Sequence, residues 1–314
     1  MNNPVWCEKY RPKTVSETIL PAALKKTFQE FVDKGQIPNL ILNGNSGVGK
    51  TTIAKAVLNE IGSDYITINA SMNGNIDTLR VDIMNFASSV SFSGGRKFVI
   101  LDEADHLNPS STQPALRNFM EEYSANCGFI LTVNFKNRII EPLKSRCSMI
   151  DFVIPNDEKQ KLAVQFFKRT QEILDKEGVE YKPNVVAELI QLYFPDWRRC
   201  LNELQRYSIS GKIDEGILTS SSEGNYTILI EALKKKDFNL LRKWVGENSD
   251  IDAASLYRKM YDILPVKLSN KNAIASSILI LAEYEYKEAF VANSEINRVA
   301  CLASIMVECD GAWL

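Results

Sequence analysis

Residues 39–51 read NLILNGNSGVGKT, an apolar run broken by three glycines and closed by a lysine and a threonine. The first five residues have the length and composition of a buried strand. Residues 44–51, GNSGVGKT, fit the spacing G-x-x-x-x-G-K-[ST] and open the helical pattern VGKTTIAKAVLNEIG. Strand, glycine loop and helix in that order form a phosphate cradle. Glycines turn backbone N–H groups inward, the helix N-terminus adds its positive end, and the lysine supplies a point charge. Gly44, Asn45, Ser46, Gly47, Val48, Gly49, Lys50, Thr51 and Thr52 are therefore candidate ligands of a nucleotide's phosphates, with Thr51 offering a hydroxyl to Mg2+. A phosphate loop between a buried strand and a helix commits this part of the chain to an α/β fold.

Four further strand-length runs follow, YITIN at 65–69, FVILD at 98–102, GFILTV at 128–133 and SMIDFV at 148–153, with helical patterns between them. Nearly continuous apolar strands are expected where helices cover both faces of a parallel sheet. The third run ends FVILDEAD, residues 98–105. Asp102 is placed to hold a magnesium shell, and Glu103 to orient and polarise an attacking water, which favours hydrolysis of ATP over transfer to a metabolite. RNA helicases also carry the letters DEAD, but they need two nucleotide folds in tandem and this chain supplies one. Asn134 ends the fourth run on the ligand edge of the sheet, either as a donor to the γ-phosphate or its water, or as a simple turn residue.

Beyond Pro155 the strand pattern gives way to helices over 157–176, 183–193 and 197–208. The expected organisation is a nucleotide-binding domain over 1–153, a small helical domain over 154–212, a glycine- and serine-rich linker over 213–225 and an all-helical domain over 226–314. With 45% hydrophobic and 24% charged residues in 314, the chain has the composition of a folded globular protein. It shows neither a signal-peptide pattern nor an apolar run of bilayer length, so no membrane partner and a cytoplasmic location are expected. Six widely spaced cysteines, with no CxxC pair, speak against a zinc site, and the single histidine, His106, against histidine chemistry. A net charge of −2 neither demands nor excludes nucleic acid.

Together these motifs resemble the AAA+ ATPases, and WCEKYRP at 6–12, NASMNGNIDTLR at 69–80 and SRC at 145–147 narrow the resemblance. They are similar to sliding-clamp loaders of the replication-factor-C type, whose motifs span residues 5–210. NFASSVSF, NFMEEYSANC and PLKSRC resemble the large subunits of T-even-type phage clamp loaders in particular. The resemblance implies an AAA+ domain, a helical lid and a C-terminal collar. It also implies an ATPase that uses ATP and Mg2+ to open a sliding clamp and load it on primer-template DNA. The expected assembly is a pentamer with other copies of itself and a distinct subunit.

The resemblance also assigns residues. It places Tyr10, Arg11 and Pro12 against adenine, and Arg198 in the lid as the arginine that reaches back to the phosphates. The residues alone do not separate Arg198 from Arg199. Arg80 is implied as a contact to the DNA backbone with Ile76 near it, and Gln113 as a link from the DNA surface to the nucleotide site. Phe92, in SFSGGRKF, is a weak candidate for clamp contact. Arg146 precedes the fifth strand, whereas nucleotide lies beyond the strands' C-terminal ends. At about 3.3 Å per strand residue it stands over ~10 Å from its own γ-phosphate. With the SRC match, that position makes it an arginine finger acting in trans, on a neighbour's site.

Two competing functions are a branch-migration-type ring helicase, which normally ends in a winged-helix domain, and a non-hydrolysing scaffold subunit of a clamp loader. The long apolar helices of the C-terminus oppose the first. Intact Lys50, Asp102, Glu103 and Arg198 oppose the second.

Overall fold

The computed structural model describes residues 5–71, 76–89, 95–209, 211–214, 217, 222–249 and 251–313. These divide into two compact units, 1–214 and 215–314.

In the first unit, α1 (Trp6–Lys9) and α2 (Ala22–Lys34) precede β1 (Leu40–Asn43), α3 (Lys50–Ile61), β2 (Tyr65–Asn69), α4 (Ile76–Ser88) and β3 (Lys97–Asp102). Then come α5 (Thr112–Glu122), β4 (Cys127–Val133), α6 (Glu141–Lys144) and β5 (Ser148–Asp151). The five strands form one parallel sheet in the order β2-β3-β4-β1-β5.

The apolar runs are continuous because alternate side chains enter different cores. Ile41, Val99, Leu101, Phe129, Leu131 and Val133 pack with Ile83 of α4 and with Leu116, Phe119 and Met120 of α5. Leu40, Leu42, Phe98, Ile100 and Ile130 pack with Phe28 of α2 and with Ile53, Ala54 and Val57 of α3. The period of two thus points inward on both faces. Ile41 and Leu42 are fully buried, and truncating either to alanine would cost about 2–5 kcal/mol.

The end of β1 runs into the phosphate loop, and the ends of β3 and β4 lie on the same edge. Leu40 pairs with Ser148 and Asn43 with Asp151, so the chain enters β5 at the other edge.

The rest of this unit is α7 (Asn156–Glu177), β6 (Glu180–Tyr181), α8 (Pro183–Tyr193), α9 (Trp197–Ser208) and β7 (Lys212–Ile213). Its core includes Leu162, Phe166, Ile173, Val186, Leu189, Cys200 and Leu204, with the Phe166 and Trp197 rings 4.4 Å apart. A two-stranded parallel ribbon, β6 with β7, joins what the sequence presents as helical only. α1 packs on α9, where Trp6 is buried and its backbone N–H donates to Gln205 Oε1 at 2.8 Å.

In the second unit, α10 (Ser222–Lys235), α11 (Phe238–Glu247), α12 (Ala253–Lys267), α13 (Lys271–Glu288) and α14 (Ser294–Glu308) share one core. The helices pack in sequence-adjacent pairs, α10 on α11, α12 on α13 and α13 on α14, and α14 also meets α10 and α11. Buried Asn297 ties three of the helices together. Its Nδ2 lies within hydrogen-bond distance of Tyr257 Oη at 3.1 Å, the Tyr284 carbonyl at 3.1 Å and Glu288 Oε2 at 2.6 Å, three acceptors that share its two hydrogens.

The stretch expected as linker contributes to both units. Ile213 lies in β7, Ile217 is buried, and α10 starts four residues before Tyr226. Glycine and serine content hides these anchors, because two isolated isoleucines make no period. No helix among the described residues is long and apolar enough to cross a membrane.

Candidate nucleotide site

At the C-terminal edge of the sheet a cleft of about 1120 Å³, open solvent included, runs between the phosphate loop and α7 and α9. Gly47 and Gly49 carry φ angles of 75° and 97°, a region that only glycine enters without strain. Gly47 is constrained twice, since a Cβ there would lie 1.8 Å from Asp196 Oδ1. Ser46, Gly47, Gly49, Lys50, Thr51 and Thr52 line the cleft. Val48 instead packs into the core, and Gly44 and Asn45 present carbonyls to Lys50.

Lys50 Nζ donates to those carbonyls at 2.6 and 2.7 Å and to Asn134 Oδ1 at 2.8 Å. Burial pushes its ammonium down to about 8, against the pull of Asp102 and Asp105. Asp102 Oδ1 accepts from Thr51 Oγ1 and from Thr132 Oγ1, each at 2.6 Å. Glu103 follows with φ 57° and ψ 41°, left-handed backbone that is rare outside glycine. Its N–H donates to Thr132 Oγ1 at 3.1 Å. Such local strain collects at functional sites. Asp105 is buried and its Oδ1 accepts from Asn134 N at 3.3 Å.

The segment 5–12 forms the cleft's second wall. Tyr10, Arg11 and Pro12 line it, as do Glu8, Ile19 and Leu20. Tyr10 Oη and Lys9 Nζ both donate to Glu177 Oε1, at 2.5 and 2.6 Å, on α7. These bonds hold the Glu177 carboxyl below its ordinary range. Arg11 pairs with Glu8 and donates to Thr52 Oγ1 at 3.3 Å, so the segment is bonded both to the phosphate-loop helix and to α7.

The third wall is Phe166, Arg169 and Ile173 of α7 with Trp197, Arg198 and Leu201 of α9. Here the two adjacent arginines separate. Arg198 lines the cleft, whereas the Arg199 guanidinium lies 4.4 Å over the Tyr193 ring.

The other expected residues lie off the cleft. Arg146 is exposed on the opposite edge. Its Nε donates to Glu121 Oε1 at 2.8 Å, its Nη1 to the Pro142 carbonyl at 2.8 Å, and its Nη2 also pairs with Glu121. Gln113 is fully buried. It donates to the carbonyls of Leu107 and Arg138 and accepts from Ile140 N, all at 2.9 Å, stitching the turn after β3 to the turn after β4. Arg80 is exposed on α4. Ile76 begins that helix but its side chain, like all of Phe92, lies outside the described residues.

Thr132, Asp105, Arg169 and Glu177 were not anticipated. Thr132 left a trace as the one hydroxyl in the apolar run of β4, two residues before Asn134. Phe166, Arg169 and Ile173 left a clearer one, the spacing of a single helix face.

Burial raises Cys147 and Cys200 to about 12, which keeps them neutral thiols. No group of three or more metal-ligating side chains occurs among the described residues.

Two family models match the chain. The ATPase family associated with various cellular activities covers residues 40–154, and the lid domain of the sliding-clamp-loader large subunit covers 158–219. The sliding-clamp-loader large subunits of Enterobacteria phage T4 and Escherichia phage RB69 are each 42% identical over 98% of this chain and 96% of the relative. A replication factor C small subunit of Archaeoglobus fulgidus is 32% identical over 96% of this chain and 97% of its own. Among solved structures, RuvB of Thermotoga maritima superposes with a TM-score of 0.52 at 16% identity. It covers 75% of this chain and 85% of that one, a likeness of fold alone. Near-full-length identity to the phage proteins, on a chain whose phosphate loop, acidic strand end and lid arginine meet in one cleft, shows that it belongs to the sliding-clamp-loader large-subunit family of AAA+ ATPases.

Proposed function

We propose that this chain is the ATP-hydrolysing subunit of a DNA clamp loader, which opens a sliding clamp and places it on primer-template DNA. The observation that carries the hydrolytic part is the convergence of Lys50, Thr51, Asp102, Glu103, Asn134 and Arg198 on one cleft. A scaffold subunit has no use for the strained Glu103 backbone or for a cleft lysine. The helical second unit, with a single isolated β-bridge among its described residues, offers no winged helix for the ring-helicase alternative.

The residues divide the work by position. Tyr10, Arg11 and Pro12, with Ile19 and Leu20, hold the base and ribose. The phosphate loop's N–H groups and Lys50 take the phosphates. To reach them Lys50 exchanges its bonds to Gly44, Asn45 and Asn134 for phosphate oxygens.

Thr51 and Asp102 suit Mg2+ in chemistry and placement. Both are hard oxygen donors, and they meet at 2.6 Å on the cleft floor. When bound, the ion neutralises charge on the phosphates during displacement. Asp102 accepts both hydroxyl bonds on Oδ1, and its carboxylate with the Thr51 hydroxyl would hold the ion. Glu103 is the group that accepts the proton of the attacking water, and Asn134, released by Lys50, orients that water or the γ-phosphate. Arg198 couples the lid to the phosphates, since it rides on α9.

Arg146 serves the neighbouring subunit's site as a finger, which makes hydrolysis a property of the assembly. Arg80 contacts the DNA backbone. Gln113 joins the turns that follow Glu103 and Asn134, a short physical route by which a contact outside the cleft alters the geometry within it. In the loading cycle, ATP binding assembles the ring of this chain with its partner subunit and holds the clamp. DNA completes the sites, and hydrolysis releases the closed clamp.

The test is turnover of the assembled complex with and without primer-template DNA and clamp, at low salt where phosphate contacts are strongest. The expected result is a strong rise when both are present. A rate indifferent to both contradicts clamp loading while leaving ATP hydrolysis standing.

A further inference from the structure

Thr132 sits at the fourth corner of the acidic site and belongs to none of the motifs that define it. Its side chain is 1% exposed, on β4, the strand beside β3. Leu101 pairs with Leu131, so the next residue on each strand brings Thr132 alongside Asp102. From there one hydroxyl makes two bonds. Its proton goes to Asp102 Oδ1 at 2.6 Å, and its lone pair accepts the Glu103 N–H at 3.1 Å. A hydroxyl has one proton and two acceptor positions, so both bonds coexist.

Each bond has a separate consequence. The first, with the matching bond from Thr51, fixes the rotation of the Asp102 carboxylate and decides which oxygen faces the cleft. The second satisfies the N–H of Glu103, the residue whose backbone is left-handed at φ 57°. A left-handed glutamate persists only where its surroundings over-determine it.

We infer that Thr132 is a positioning residue for hydrolysis. Through one hydroxyl it sets the carboxylate of Asp102 toward the metal shell and holds the backbone turn that aims Glu103 at the attacking water. The inference rests on the reading of Asp102 and Glu103 as the metal-shell and water-activating acids.

The test compares the parent protein with Thr132→Val, which keeps the volume and removes the hydroxyl, and Thr132→Ser, which keeps the hydroxyl and removes a methyl. All are assayed in the full complex with clamp and DNA. Thr132→Val should lower kcat by about tenfold or more. It should also raise the Mg2+ concentration at half-maximal rate several-fold, while a fluorescent ATP analogue binds with parental affinity in EDTA. Thr132→Ser should restore both the rate and the Mg2+ requirement. A readout independent of turnover is the extra thermal stabilisation that Mg2+ adds to bound ATP, which should shrink in Thr132→Val alone.

A Val variant with parental kcat and Mg2+ requirement overturns the inference. So does a loss shared equally by Val and Ser and tracking a lower Tm, which reduces Thr132 to packing. If Val does not fold, Ser decides on the same readouts, with parental values supporting the hydroxyl's role. Failure of the underlying reading is distinguishable, because then Glu103→Gln would hydrolyse ATP as fast as the parent.

Discussion

The two edges of the parallel sheet hold two arginines in different settings, each proposed to act in hydrolysis. At the C-terminal edge Arg198 lines a cleft with buried Lys50 and half-buried Thr51, Asp102, Glu103 and Asn134, several of them bonded to one another and Glu103 locally strained. At the N-terminal edge Arg146 sits exposed in an ion pair with Glu121. An exposed pair of this kind is worth only about 0–1 kcal/mol, so it holds the guanidinium without committing it. In the proposed reading the first edge carries most of the site, and the second carries one component that a neighbouring subunit's site would use.

The comparison breaks most visibly at Lys50. Lys50→Ala should lower turnover by about 10³, because the cleft loses a buried cation while Arg146 is untouched. Steady-state hydrolysis with clamp and DNA measures it. Parental turnover would mean that the C-terminal edge is not the site. Arg198→Ala should be milder, with about a 10- to 100-fold loss in kcat/KM, since the phosphate loop remains. Arg199→Ala should stay near the parent, because that side chain stacks on Tyr193, and equal losses would erase the distinction between the two arginines.

The cleft's burial has a pH signature that the other edge lacks. Free Lys50 titrates at about 8, and bound phosphates favour its charged form. Binding therefore takes up a proton above pH 8, and ATP affinity should fall as pH rises through 8, by roughly tenfold at pH 9. Calorimetry in buffers of different ionisation enthalpy detects the uptake, and flat affinity from pH 7 to 9 would contradict it.

The smallest effect belongs to the surface. Arg80→Ala should weaken DNA binding a few-fold, reduce the salt slope by about 1 and leave ATP affinity alone. An unchanged slope would return Arg80 to an ordinary surface charge.

How much of this was legible in sequence follows the same division. The phosphate loop and the two acids at the end of β3 are local patterns, and Ser46, Gly47, Gly49, Lys50, Thr51, Asp102 and Glu103 all line the cleft, while Val48 packs into the core. The inner strands β1, β3 and β4 were legible because both their faces are buried, though β3 begins one residue early, at Lys97, whereas the edge strands β2 and β5 are mostly half-buried or exposed and show only as short apolar runs. That lysine is buried with its ammonium on the carbonyls of Phe86 and Ser89, a partnership that no apolar period reveals. The residues alone left Arg198 and Arg199 open, since two adjacent residues on one helix turn share every local feature; the resemblance pointed to Arg198, which is the one that lines the cleft. Thr132 escaped because its partners are 29 and 30 residues away along the chain. The ribbon of β6 and β7 escaped for a similar reason, since each strand is two residues long and has no period to show.

The central claim is that the two edges form one active site across a subunit boundary. Its direct test mixes Lys50→Ala with Arg146→Ala protein, co-assembly being confirmed by native mass measurement, and reads hydrolysis with clamp and DNA. Each variant alone should be nearly inactive, Lys50→Ala for want of a phosphate grip and Arg146→Ala for want of a finger worth about 10³–10⁵ in rate. In mixed rings some interfaces join an intact Lys50 to a neighbour's intact Arg146, and the account predicts that activity returns well above either variant. Confirmed mixed rings with no recovery, or Arg146→Ala protein turning over like the parent, would contradict it.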